Sequence, residues 1–171
     1  MMASSNVTPV ERPRSEVLSA IYGGDFDCLL VKEAIAYLAT AGRWKDLWDI
    51  ADSMSREVSI LFDSNMMVWV DVGTRGEVSL EPPIGATIPF RLWIHTHPWD
   101  AYWSRTDLGT LASYTSILSD ALVLGHDHCK KSSRPAHGED LLGEEGPLSQ
   151  WTSEPCKMYS EMDIIPTSEV Y

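Results

Sequence analysis

Two of the chain's five histidines, His95 and His97, stand one residue apart at the end of an apolar run, and a serine and an aspartate follow in HTHPWDAYWSRTD, residues 95–107. On an extended strand alternate side chains share a face, so the two imidazoles point the same way and can converge on one cation. Zinc takes nitrogen, sulfur and carboxylate donors, and a catalytic zinc keeps three protein ligands and an open position for water. Asp107 is the third donor within reach, because a loop over 98–103 can fold the next segment back to the strand end. Ser104 and Asp107 also match S-x-x-[DE], the capping box of a helix N-terminus. The two readings are compatible, since a capped helix start is a rigid place to hang a ligand.

Other candidate ligands are less well placed. His126-Asp127-His128-Cys129 follows a short apolar run and reads as loop residues near a strand end, with a second metal site as its sharper alternative; His137 has no identifiable partner. Cys28, Cys129 and Cys156 are odd in number and widely spaced, with no C-x-x-C pair. That pattern argues against a disulfide framework or a cysteine-based zinc ribbon and for reduced thiols.

The histidine segment resembles the signature of the JAMM (MPN+, JAB-domain) zinc metalloproteases, H-x-H-P followed by a loop and S-x-x-D. The resemblance spans roughly residues 30–125 and is similar to the prokaryotic, stand-alone, deubiquitinase-like members. It implies an α+β fold of MPN/JAB (cytidine-deaminase-like) type, a curved mixed sheet flanked by helices. It implies one Zn2+ held by His95, His97 and Asp107, with Ser104 stabilising a tetrahedral intermediate. It also implies a general base on an early strand. Glu57 in SREVSILFD matches that segment, with Glu77 and Glu81 as rivals. Trp99, Tyr102 and Trp103 would flank the site and grip an extended substrate tail; packing around the loop is their other reading.

The implied activity is hydrolysis of an amide or isopeptide bond. The implied partner is a Gly-Gly-ended ubiquitin-like modifier on a lysine, or else a small sulfur-carrier protein or a peptide amide. Six residues separate His97 from Ser104, where the family pattern has seven, and Ser59 stands where the family carries glycine. These departures keep open a non-catalytic MPN-type scaffold. Two further alternatives are a nucleic acid-linked protein of the bacterial DNA-repair type that shares the H-x-H-P pattern, and a cell-wall or phage-type peptidase.

The flanking pattern supplies elements to position such a site. Apolar residues spaced by three or four over Val31–Met54 predict helix, with Gly42 ending a first helix and starting a second; a single helix with a weak spot is the alternative. EVSILFD (57–63) and MMVWVDV (66–72) read as strands joined by a tight turn at Ser64-Asn65. A short strand is expected at 77–80, a strand at 90–97, a helix at 104–120, a buried strand at 121–125 and a last strand at 156–165. The expected organisation is a polar N-terminal arm (1–14), a catalytic domain (15–127), a polar loop (128–155) and a strand or tail of the same domain (156–171).

The bulk numbers narrow the classes. A chain of 171 residues, 44% apolar, suits one domain with a real core. Its net charge of −12 repels phosphates, so no nucleic acid partner is expected; CKKSSR (129–134) is the nearest basic stretch. No apolar run approaches the roughly 20 residues that span a bilayer, and MMASSNVTPVERPRSEV lacks the apolar centre of a signal peptide. No membrane association and a cytoplasmic location are the expectation.

Overall fold

The structure, a computed structural model, describes residues 5–73, 82–134 and 146–162. In chain order the elements are β1 (Ser5–Val7), α1 (Arg14–Tyr22), α2 (Leu29–Thr40), α3 (Trp44–Met54), β2 (Val58–Phe62) and β3 (Val68–Val72). They continue with β4 (Phe90–Thr96), α4 (Arg105–Ser113), β5 (Leu118–Leu124), β6 (His128–Ser133) and β7 (Lys157–Met158). The strands form one sheet in the order β1-β3-β2-β4-β5-β6-β7. All pairs are antiparallel except β4–β5, whose parallel crossover contains α4. The chain is thus α+β with a mixed sheet.

Both faces of the central strands are covered, which is why they read as near-continuous apolar runs. Ile60, Val70, Ile94 and Leu122 lie in register and pack in one core with Ile35, Leu38, Leu47 and Ile50 of α2 and α3. Leu61, Trp69, Trp93 and Ala121 occupy the opposite face and pack in a second core with Leu111 of α4 and with Trp151. Trp151 reaches this core at the end of a 3-10 turn (Pro147–Gln150), and its Nε1 donates to Leu111 O at 3.0 Å.

The helical stretch over 31–54 divides at Gly42 as expected, into α2 and α3, and the φ of +70° at Gly42 favours a residue without a Cβ. The hairpin is also present, but its strands close at Phe62↔Val68, so the turn takes in residues 63–67 rather than Ser64-Asn65 alone. Asp63 organises that turn. Its carboxylate accepts from Asn65 N, Met67 N, Trp69 Nε1 and Thr87 N, and the residue has no exposed surface.

Several expectations need correction. Ser5–Val7 pair with β3, so the expected arm over 1–14 contains the sheet's edge strand, anchored by buried Val7. Residues 14–22, which carried no assignment, form α1; only Val17 and Ile21 of it are buried, too few for a visible stripe. The helix expected over 104–120 stops at Ser113, and β5 starts at Leu118 instead of Ala121. The polar segment after residue 127 opens with a strand, β6, whereas, among the described residues, the strand expected over 156–165 is the two-residue β7 followed by a 3-10 turn at Tyr159–Glu161; residues 163–165 lie outside them. The short strand expected at 77–80, and with it Glu77, Glu81 and His137, lie outside the described residues. Among the described residues no helix is long and apolar enough to cross a membrane.

Candidate metal centre

The site forms where β4 runs out. His95 pairs with Ser59 of β2, and the register continues so that Val58 N donates to Thr96 Oγ1 at 2.9 Å and Glu57 falls opposite His97. His95, His97, Glu57 and Asp107 are all buried. Alternation along β4 puts both histidines on the face that α4 covers, next to Trp93.

Asp107 comes from the first turn of α4 and meets both rings. Its Oδ2 lies 2.8 Å from His97 Nε2 and its Oδ1 lies 3.3 Å from His95 Nε2. The same Oδ2 accepts from Ser104 N at 3.0 Å, and Asp107 N donates to Ser104 Oγ at 3.1 Å. Ser104-x-x-Asp107 is therefore a complete capping box whose carboxylate also reaches the histidines. The shorter loop does not hold Asp107 away. On the other side of His97, Nδ1 lies 3.7 Å from Glu57 Oε1.

Burial sets the protonation states. Desolvation holds the His95 pKa down at about 4, with His97 adding to the effect and the Asp107 charge opposing it. At neutral pH His95 is therefore an uncharged imidazole with a lone pair to give. Burial alone would raise the Asp107 pKa. The hydrogen bond to His97, the His95 ring and the Ser104 N–H and hydroxyl outweigh it, and the carboxyl sits below its ordinary range.

The donor set fits a metal. Ligand atoms of Glu57, His95 and His97 lie within 4.8 Å of one another, and Asp107 touches both rings. Ligands bonded at about 2.0–2.1 Å in a tetrahedron sit about 3.3 Å apart; Asp107 Oδ1 lies 3.3 Å from His95 Nε2, while Asp107 Oδ2 and His97 Nε2, 2.8 Å apart, are directly hydrogen-bonded. His95 Nδ1, the ring nitrogen other than the one facing Asp107, is buried with no hydrogen-bond partner, and an ion held at Nε2 would leave it so.

Several contacts were not visible in the sequence. Trp93 stacks on His95 with ring centroids 5.4 Å apart, and its Nε1 donates to Ser59 Oγ at 2.9 Å, so the serine in the glycine position orients the wall of the site. Trp48 of α3 donates from Nε1 to His97 O at 2.8 Å. It also lines a cavity of about 250 Å³ with Asp52, Arg56, Thr96, His97 and Pro98, so open space borders the centre. Trp48 and Asp52 fall within the stretch read as helical over 31–54, but nothing in the sequence singled them out or marked which strand end they would meet.

The aromatic trio divides. Tyr102 lies over His97 with centroids 4.6 Å apart and is half exposed. Trp103 packs against Trp93 at the second core. Trp99 leaves the centre and stacks on His126, with centroids 4.0 Å apart and planes 7° apart. A second group, His126, Asp127 and His128, also brings ligand atoms within 4.8 Å of one another, at the turn between β5 and β6. Compared with protein-family models, curated proteins and solved structures, the chain finds no match.

Proposed function

We propose that this protein is a zinc-dependent peptidase or isopeptidase of JAMM type with an MPN/JAB-like fold. The observation that carries the reading is the convergence of His95 Nε2 and His97 Nε2 on the Asp107 carboxylate, in a buried pocket with Glu57 across the strand pair. His95, His97 and Asp107 would hold the ion. Zinc, when bound, supplies Lewis acidity for a carbonyl and a water acidic near pH 7, at about that value in comparable enzymes.

The chain's own groups supply the rest. Glu57 takes a proton from the attacking water at its carboxylate and returns it to the leaving amine. Ser104 Oγ accepts the Asp107 N–H while its O–H is turned to the Asp107 carboxylate, so it would swing away to donate to an oxyanion once substrate is bound; removing one such donor typically costs about 3–4 kcal/mol of barrier. Tyr102, half exposed over His97, offers a flat surface for an extended tail. By the resemblance, the substrate is a ubiquitin-like modifier joined to a lysine, or the modifier's own C-terminus.

The test is metal content and turnover together. Wild-type protein should carry one zinc per chain, lose it in Asp107→Ala, and cleave an amide-linked ubiquitin-like conjugate in a zinc-dependent way. Zinc without cleavage moves the reading to a metal-binding scaffold. No zinc after reconstitution leaves Ser104 and Asp107 as a helix cap alone.

A further inference from the structure

The turn between β5 and β6 carries His126, Asp127 and His128, which the proposed reaction leaves unused. A second cation site is the obvious reading, but the hydrogen bonds oppose it. His128 Nε2 faces the backbone N–H of Ala101 at 3.0 Å, and His128 Nδ1 lies 2.7 Å from Asp127 Oδ1. A nitrogen facing an N–H must present its lone pair, so the ring proton sits on Nδ1 and points at Asp127. A cation shared by Asp127 and the two Nδ1 atoms, which lie 3.1 and 2.7 Å from its carboxylate, would need that lone pair. It would force a proton onto Nε2, against the Ala101 N–H.

What Nε2 holds is the loop between the candidate ligands. Residues 98–103 join His97 to Ser104, and three further contacts seat them on the same turn. His126 N donates to Trp99 O at 2.8 Å. The Trp99 ring stacks on His126. Gly125 passes so close that a Cβ there would lie 2.7 Å from both Ala101 N and Trp99 O. Tyr159 braces the turn from behind, its hydroxyl donating to Gly125 O and its N–H to Asp127 O.

We propose that His128 is a positioning residue of the candidate metal centre: it grips the Ala101 N–H and so fixes the short loop that carries Ser104 and Asp107 to the histidines. Asp127 fixes the His128 tautomer. The inference rests on the metal-centre reading and adds a residue that touches none of the ligands.

The test uses full-length protein in four forms: wild type, His128→Asn, His128→Gln and Asp127→Ala. Glutamine can place an oxygen where Nε2 stands, and asparagine is too short. His128→Asn should weaken zinc affinity about 10-fold, the lower end of what orienting groups around metals contribute. It should also alter the visible spectrum of the cobalt-loaded protein and speed exchange of the Ala101 amide. His128→Gln should recover most of all three. Asp127→Ala, at a half-exposed side chain, should show a smaller loss and covers the case in which His128→Asn does not fold.

Wild-type affinity, spectrum and amide exchange in both His128→Asn and Asp127→Ala overturn the inference while the metal centre stands. An equal loss in His128→Asn and His128→Gln overturns it as well, because the acceptor would then not be what matters. Wild-type protein that binds neither zinc nor cobalt overturns the metal-centre reading, and the inference with it.

Discussion

The chain contains two short histidine pairs, His95-Thr96-His97 and His126-Asp127-His128, and the fold sets them in different surroundings. The first ends a central strand, is buried, and meets an aspartate ten positions further on from another element. The second lies on a turn, is partly exposed, and meets the aspartate between its own histidines. In the first pair both Nε2 atoms face one carboxylate; in the second, His128 Nε2 is taken by a backbone N–H. Residue type alone would rank the two alike. The difference lies in what faces the lone pairs, and the backbone decides that.

The most direct way to break the comparison is to remove each aspartate in turn. Asp107→Ala should abolish zinc binding at micromolar protein. It should also lower stability by about 1 kcal/mol for the Ser104 N–H left without its acceptor, with a further cost for two buried rings left without theirs, while the Ser104 cap itself remains. Asp127→Ala should still reach one zinc per chain when zinc is saturating. Elemental analysis of the two variants decides it, and the reverse pattern would exchange the roles of the two pairs.

The next largest effect is expected where the two regions touch. Gly125→Ala puts a methyl group 2.7 Å from two backbone atoms of the 98–103 loop, neither of which can rotate away. Overpacking of this kind costs about 1–3 kcal/mol. The melting temperature should fall by several degrees, and zinc affinity should fall with it. A variant as stable as wild type would mean that the turn and the loop are not packed as described.

A third carboxylate, Asp63, separates burial from metal chemistry. Like Asp107 it is buried and its carboxyl is held below the ordinary range. Burial works against ionisation there, but N–H donors from Thr87, Met67, Trp69 and Asn65 outweigh it, with no histidine involved. Because its folded pKa is lowered, its contribution is fully present above the unfolded value of about 3.9 and is lost as pH falls through the lower folded value. Asp63→Asn should cost about 1–3 kcal/mol at pH 7 and flatten the loss of stability on acidification below about pH 4, with zinc stoichiometry unchanged. Denaturant unfolding at several pH values measures it; an undiminished acid slope in the variant would remove Asp63 from that role.

How far the site was legible follows from where its information lay. His95 and His97 could be placed on one face because strand alternation is local, and Ser104 and Asp107 could be paired because the capping box is local too. Trp48 could not be tied to His97 O, since the contact joins α3 to β4 across 49 residues. β1 and β6 were hidden for a related reason. Ser5–Val7 and His128–Ser133 are mostly polar, and what makes them strands is an open edge on β3 and on β5. Trp99 looked like part of the site because it neighbours His97 in sequence, but the loop turns it toward His126.

The smallest effect concerns Cys129, which follows His128 and would complete a His-Asp-His-Cys metal cluster if the second pair bound one. A metal-binding cysteine works as its thiolate, favoured by a nearby cation or donors. Cys129 is in the opposite situation. Burial pushes its pKa up to about 11, with neighbouring Cys156 adding to the rise and Lys157 opposing it, and its Sγ rests 3.7 Å from Met162 Sδ. At pH 7 about one part in ten thousand would be thiolate. Native protein treated with an alkylating reagent should therefore be modified at exposed Cys156 and, more slowly, at half-buried Cys28, with Cys129 spared until the chain unfolds. Adding zinc should change none of this. Cys129 that reacts readily without zinc and is protected by it would make the second pair a metal site after all, and the contrast between the two histidine pairs would collapse.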